Sequence, residues 1–265
     1  MGVTLLAARP AEGGPVAEDS VFERIQLLSE ADPAEIDAYA AVCQRYTQEG
    51  GLETLIGNYT GHLALHQQII RPALARTVRP GDRVLDFACG TGRVTPLLVE
   101  AASPGGVVVG VDVSWPALSR AALIVQRAAF MLIGGNGEIP MPPWSCDVIV
   151  SLVAIQHIQF FPVRHRYFLT FRRLLREGGR LLIQLNADAS GSHITWFERG
   201  TPNIYEAPDV VCDELDMAAY LPALGFRVLE TWRTEMDSMT ASWFKRPTGT
   251  QDGWLWVLAE KVSDG

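Results

Sequence analysis

Two aspartates flank a glycine turn at spacings that can hold a small ligand. In VLDFACGTGRVT (84–95), an apolar run of the buried-strand type leads into Gly90-Thr91-Gly92 and then into a helical segment. Such a turn offers backbone N–H groups and lets the chain approach a ligand closely. Asp86 lies in the strand just ahead of the turn, where a carboxylate suits a cationic amine and would repel a pyrophosphate. Asp112 ends the next apolar run, twenty residues past Gly92. At the crevice of an open α/β sheet, a carboxylate there can accept both hydroxyls of a ribose. Gly135-Asn136-Gly137 follows a third strand-like run, and the Asn136 amide could bond an adenine edge. A dinucleotide fingerprint would need a third glycine where Thr95 stands, which lowers the nicotinamide or flavin reading.

Beyond this constellation the first candidate base is His157. It follows the fourth apolar run, at the edge facing the crevice, and its near-neutral pKa suits proton transfer. Tyr59 and His193 stand behind it. The competing reading of His157 is a residue that fixes the loop or supports the cofactor pocket. His62 and His66 lie four apart on one predicted helical face, but no acidic partner has metal-site spacing, so no metal is expected. Met141-Pro142-Pro143-Trp144 resembles an amine-methylation tetrapeptide, yet it precedes the fourth strand and Met141 supplies no acceptor; it reads as a rigid loop. The densest basic cluster, Arg164, Arg166, Arg172, Arg173, Arg176 and Arg180, mixes with Phe168, Leu169 and Phe171. It reads as a solvated helix face ahead of an RNA-binding patch.

These residues need a scaffold that brings strand ends together. Strand-like runs at 84–88, 107–113, 130–133, 147–153 and 180–185 alternate with helical stretches at 94–101, 116–129 and 163–176. That alternation indicates an α/β fold with a parallel sheet and helices on both faces. Arg227–Arg233 and Trp254–Glu260 have no clear helix between them and should pair antiparallel. Ahead of the sheet, helical patterns cover Val21 to Gln48, with Asp32-Pro33 as a cap and first-turn pair, and Leu63 to Val78, kinked at Pro72.

Composition limits the function classes. The 265 residues are 48% hydrophobic with a net charge of −8, which excludes a mainly disordered chain and argues against a phosphate-coating nucleic-acid binder. Twenty Arg against two Lys reads as genome composition. Cys43, Cys89, Cys146 and Cys212 form no zinc or disulfide spacing, so a reducing, cytoplasmic compartment is the default. No apolar run reaches the ~18 residues of a membrane helix, and the first twenty residues lack the order of a signal peptide.

As a set, the motifs resemble the class I S-adenosylmethionine-dependent methyltransferases. VLDFACGTG (84–92) is similar to their first motif and GVDVS (110–114) to their second. GNGEIPMPPWSCDVIVSLVAIQHI (135–158) resembles the stretch into and along the fourth strand, and LLREGGRLLI (174–183) the helix–loop–fifth strand. The resemblance spans about 84–262 and implies a doubly wound, mostly parallel seven-stranded sheet with an antiparallel last strand. It implies S-adenosyl-L-methionine as cofactor. Asp86, Ala88, Gly90 and Gly92 would hold its methionine part, Asp112 its ribose, and Asn136 and Gly137 its adenine side, with Val113 a further cofactor-binding residue. Asn136 departs from the more usual Asp.

On this reading, residues 1–20 are a flexible N-terminus, 21–80 a helical cap, and 81–265 the cofactor-binding domain with a lid insertion at 187–210. Trp196, Phe197 and Tyr205 of that lid, with Met239 and Trp243 further on, would wall the substrate. The expected reaction is methyl transfer to an O, N or C nucleophile of a small molecule, with His157 and Tyr59 as catalytic candidates. A nucleic-acid or protein methyltransferase, a non-catalytic cofactor-binding relative and a dehydrogenase are the alternatives. Oligomeric state is left open.

Overall fold

The computed structural model describes residues 18–49, 63–187, 193–203, 209–234 and 253–263. Helices α1 (Glu18–Ser29), α2 (Pro33–Glu49) and α3 (Leu63–Thr77) precede β1 (Arg83–Phe87). There follow α4 (Thr95–Ala102), β2 (Val107–Asp112), α5 (Trp115–Ile124), β3 (Ala129–Leu132) and β4 (Cys146–Leu152). After a short 3₁₀ turn at Ile155–His157 come α6 (Phe161–Leu174), β5 (Leu175–Asn186), β6 (Ile194–Thr195) and β7 (Val210–Val211). The last elements are α7 (Glu214–Ala223), β8 (Phe226–Thr234) and β9 (Trp254–Lys261).

Seven strands form one sheet in the order β3-β2-β1-β4-β5-β9-β8, with β6 and β7 paired separately. The pairs β1–β2, β1–β4, β2–β3 and β4–β5 are parallel, whereas β9 runs antiparallel to both β5 and β8. The chain winds outward from β1 in one direction through β2 and β3, then returns to lay β4 on β1's other side. The topological switch point therefore lies between the carboxyl ends of β1 and β4, where such sheets open a ligand crevice.

Buried apolar residues cover both faces of the sheet. Leu85, Phe87, Ile149, Leu181, Ile183, Leu255 and Val257 point to the face that packs against α6 and α7. Val84, Val148, Val150, Leu182, Trp256 and Leu258 point to the other, against α3 and α4. Burial on both sides is why these strands read as continuous apolar runs rather than alternating ones.

The single helical pattern read over Val21–Gln48 is two helices. Asp32 divides them: its Oδ1 accepts the Ala34 N–H at 2.9 Å, while Glu35 Oε2 accepts the Asp32 N–H at 3.0 Å. That reciprocal arrangement fixes the start of α2. Ile25, Ile36 and Tyr39 enter the same core as α6, with the Tyr39 and Phe160 rings 5.8 Å apart. Helix α5 ends at Ile124, short of the 129 expected, because β3 begins at Ala129. Helix α7 escaped the sequence reading, although Asp213 and Asp216 close a capping box at its start.

Candidate functional site

The glycine turn is a tight, stitched structure. Beyond β1, Ala88, Gly90 and Gly92 all have positive φ (55°, 56° and 77°). The Gly92 N–H donates back to the Cys89 carbonyl (3.0 Å), and the Cys89 N–H to the Val111 carbonyl on β2 (3.0 Å). A Cβ on Gly92 would lie 3.1 Å from Ala121 Cβ and 3.3 Å from Val125 Cγ2, so glycine serves both backbone conformation and packing here.

Asp112 ties that turn to the next strand. Its Oδ2 accepts the Gly90 N–H at 2.8 Å and its Oδ1 the Ser114 N–H at 2.8 Å. Ser114 then caps α5, its Oγ accepting the Ala117 N–H at 3.3 Å. Burial raises the Asp112 pKa, against the lowering effect of the Ser114, Gly90 and Val113 N–H groups. Each carboxylate oxygen keeps a further lone pair beyond these bonds.

Asp86 is buried, 3% exposed, and its Oδ2 accepts the Thr95 hydroxyl at 2.7 Å. Thr95, which displaces the third glycine of a dinucleotide fingerprint, is thus the clasp of the β1 carboxylate. Burial pushes the Asp86 carboxyl up to about 7, opposed by the Thr95 bond and reinforced by Asp112. Two carboxyls on neighbouring strands, one buried and one partly buried, both resisting ionisation, are suited to a ligand that brings positive charge.

On the adenine side, Asn136 Oδ1 accepts the Glu138 N–H at 3.1 Å, closing an Asx-type turn. Gly137 is pressed against α6: a Cβ there would lie 2.3 Å from Arg166 Cβ, and its carbonyl accepts the Thr170 hydroxyl at 2.8 Å. A Cβ on Gly135 would lie 3.5 Å from Val113 Cγ1 and 3.5 Å from Cys43 Cβ, so α2 lies over this corner.

Past β4, Val153 repeats the left-handed backbone of Ala88, again with φ 55°. The two residues follow directly on neighbouring strands, one on each side of the switch point. In the next turn His157 Nδ1 lies 2.8 Å from Asp209 Oδ1, and the ring is half-exposed. Protein packed around the ring disfavours its charged form, but the Asp209 carboxylate outweighs that and raises the pKa. Asp209 is 52 residues from His157 and carried no signal in the sequence.

Other candidates are placed differently from expectation. Tyr59, His62, Tyr205, Met239 and Trp243, and the side chain of His66, lie outside the described residues. Trp196 and Phe197, read as substrate wall, are core residues at 0% and 9% exposure, and Trp196 packs edge-on to Phe168 and Tyr220. The reason is chain direction: β6 pairs with β7 and turns these rings under α1 and α6. The solvated basic face is likewise corrected. Arg164 is fully buried, donating to the carbonyls of Ile158, Gln159 and Trp196. Arg173 holds the Met141 and Ile139 carbonyls, Arg176 pairs with Asp147, and Arg180 with Asp82. Among the described residues no group of three or more His, Cys, Asp or Glu could hold a metal, and no helix is long and apolar enough to cross a membrane.

Comparison with known proteins agrees with this geometry. Residues 85–183 match the family described as "Methyltransferase domain". The demethylmenaquinone methyltransferase of Symbiobacterium thermophilum is 34% identical over 109 residues, 39% of this chain and 42% of that protein. A putative 23S rRNA (guanine-N(1)-)-methyltransferase of Micromonospora griseorubida is 32% identical over 137 residues, 48% of this chain and 43% of that protein. The chain therefore spans less than half the length of these curated relatives. A SAM-dependent methyltransferase structure from Methanosarcina mazei superposes with a TM-score of 0.58 at 17% identity, over 73% of this chain and 98% of that one. The matched segment thus resembles a methyltransferase domain, and the sheet shares the fold of the Methanosarcina mazei structure.

Proposed function

We propose that the protein transfers a methyl group from S-adenosylmethionine to an O, N or C nucleophile of a small-molecule acceptor. The observation that carries this reading is the pair of carboxyls, buried Asp86 and partly buried Asp112, flanking a turn whose left-handed residues bring backbone close to a ligand. Their resistance to ionisation fits a ligand with an ammonium and a sulfonium. Asp86 and the 88–92 turn would hold the methionine part, Asp112 and Val113 the ribose, and Asn136 and Gly137 the adenine. The bound cofactor supplies a methyl group already activated as an electrophile.

The chain then has to align the nucleophile and keep water out. His157 takes the acceptor's proton at Nε2 where deprotonation is needed, while Asp209 holds the ring by Nδ1 and favours its charged form. Tyr59 stays a second catalytic candidate. The segments at 21–80 and 187–210 would shape the acceptor side as cap and lid. Four cysteines without a disulfide support a cytoplasmic setting.

A small acceptor is favoured over nucleic acid because the densest arginine cluster is largely spent on internal carbonyls and carboxylates. The likeness to an rRNA methyltransferase supplies the second reading. Labelled cofactor incubated with metabolite extract and, separately, with ribosomal RNA separates the two. Label entering small molecules alone is expected; label in RNA alone overturns the small-molecule assignment.

A further inference from the structure

The carboxyl edge of β4 and β5 contains buried polar side chains with nothing to bond. Gln184, on β5, is 0% exposed, and neither its amide nitrogen nor its amide oxygen has a hydrogen-bond partner. Gln156, in the turn after β4, is also 0% exposed with both amide atoms unpartnered. Leaving a buried donor or acceptor unmet costs on the order of 1–3 kcal/mol. Folded proteins satisfy nearly all such groups, so two bare carboxamides at one sheet edge call for an explanation.

Their placement supplies one. Register sets Gln184 between Leu152, the last residue of β4, and Trp256 of β9. The turn bearing Gln156 packs against β5. Between Leu152 and that turn stands Val153, a β-branched residue held at φ 55°, a conformation that persists only where the surroundings impose it. Strain and unmet polarity therefore coincide beside the switch point, on the β4 side, while the proposed cofactor turn occupies the β1 side.

We propose that Gln184 and Gln156 form the seat for the methyl acceptor, and that this acceptor is uncharged where it meets them. This rests on the methyl-transfer reading and adds to it the chemical class of the substrate. A carboxamide offers one acceptor oxygen and two N–H donors, so it recognises a group that both donates and accepts, such as a hydroxyl beside a carbonyl, or a lactam. Leu152, Leu182, Trp254 and Trp256 make that face apolar. The carboxylate on the same face, Asp86, is engaged by Thr95. A charged acceptor group would have to shed its hydration among these apolar side chains, at high cost. A site built from hydrogen-bonding groups discriminates strongly against analogues that lack them, which is what an acceptor seat requires.

The test uses the full chain and its Gln184→Leu and Gln184→Met variants. Without ligand, both variants are expected to melt at or above the wild-type temperature, because an unmet amide has been removed. A fall of more than about 3 °C in both would mean that the amide is bonded in solution, and overturns the proposal. Thermal shift is then measured with ring-matched hydroxyaryl ketones, lactams, carboxylates and amines, with and without S-adenosylhomocysteine. The uncharged compounds should bind wild type and bind the leucine variant about tenfold more weakly, the loss of roughly one good hydrogen bond. Preference for carboxylates or amines, equal binding to wild type and variant, or no binding by any uncharged class overturns it. Calorimetry with S-adenosylmethionine alone is the separate control. Unchanged affinity in the variants is expected, and absence of binding in wild type defeats the methyl-transfer reading while the seat is judged by the thermal shifts.

Discussion

The two sides of the switch point are built on opposite principles. On the β1–β2 side, both aspartates have their partners: Asp112 holds the N–H groups of Gly90 and Ser114, and Asp86 holds Thr95. On the β4–β5 side, Gln156 and Gln184 have none. The first half is finished before any ligand arrives, and its remaining tension is electrostatic, in carboxyls that burial keeps from ionising. The second half keeps hydrogen bonds in reserve. A preformed half suits a ligand that is always the same, and an unsatisfied half suits the one that must be selected.

Substitutions in the finished half should have the largest effects. Gly92→Val forces a side chain into Ala121 and Val125 from a left-handed backbone, and loss of measurable S-adenosylmethionine binding by calorimetry is expected. Retained binding would show that the turn does not cradle the ligand. Asp112→Ala removes two backbone anchors together with the proposed ribose contacts, and should weaken binding by about 1–3 kcal/mol. An unchanged Kd would remove Asp112 from the cofactor site.

On the unfinished side the effect should be smaller and kinetic. Asp209→Asn keeps a group beside His157 but removes the charge that raises its pKa. With a transferable acceptor, kcat should fall about tenfold and the acidic limb of the pH profile should move to lower pH, with cofactor affinity unchanged. A uniform loss with no shift in the profile would make Asp209 merely structural.

A separate expected effect is the pH dependence of stability. The Asp86 pKa is raised on folding, to about 7, so the folded state holds a proton that the unfolded state has already lost. Its contribution is present below the unfolded carboxyl range and is lost as pH rises to about 7. His165 acts on the acid side: burial, then Arg164, lowers its pKa to about 4, so its contribution is present above the ordinary histidine range and is lost as pH falls towards 4. Denaturant melts from pH 4 to 8 should show a declining limb between 5 and 7 that flattens in Asp86→Asn. A limb unaltered by that substitution would place the buried proton elsewhere.

How legible each side was follows from how local its chemistry is. Asp86, the glycine turn and Thr95 lie within one strand–turn–helix, and Asp112 ends the very next strand. Spacing alone could therefore bring them together. His157 was visible as a strand-end residue, but its partner Asp209 comes from a segment that meets it only through the β6–β7 pairing. Trp196 looked like a lid aromatic because a loop's composition does not tell which way its rings turn. The arginines of α6 looked solvated because periodicity places a side chain on a face without saying what covers that face.

By itself, the sequence determined the alternation of strands and helices, the antiparallel closing strand and the acidic glycine turn. Each is written in contiguous residues through apolar runs, turn glycines and strand-end carboxylates. Tertiary structure alone decided which polar groups found partners. Asp209 holds His157, Arg164 is consumed by three carbonyls, and Gln156 and Gln184 are left bare. Hydrogen-bond satisfaction depends on atoms that meet across tens of residues, and no local pattern records which of those meetings fails to occur.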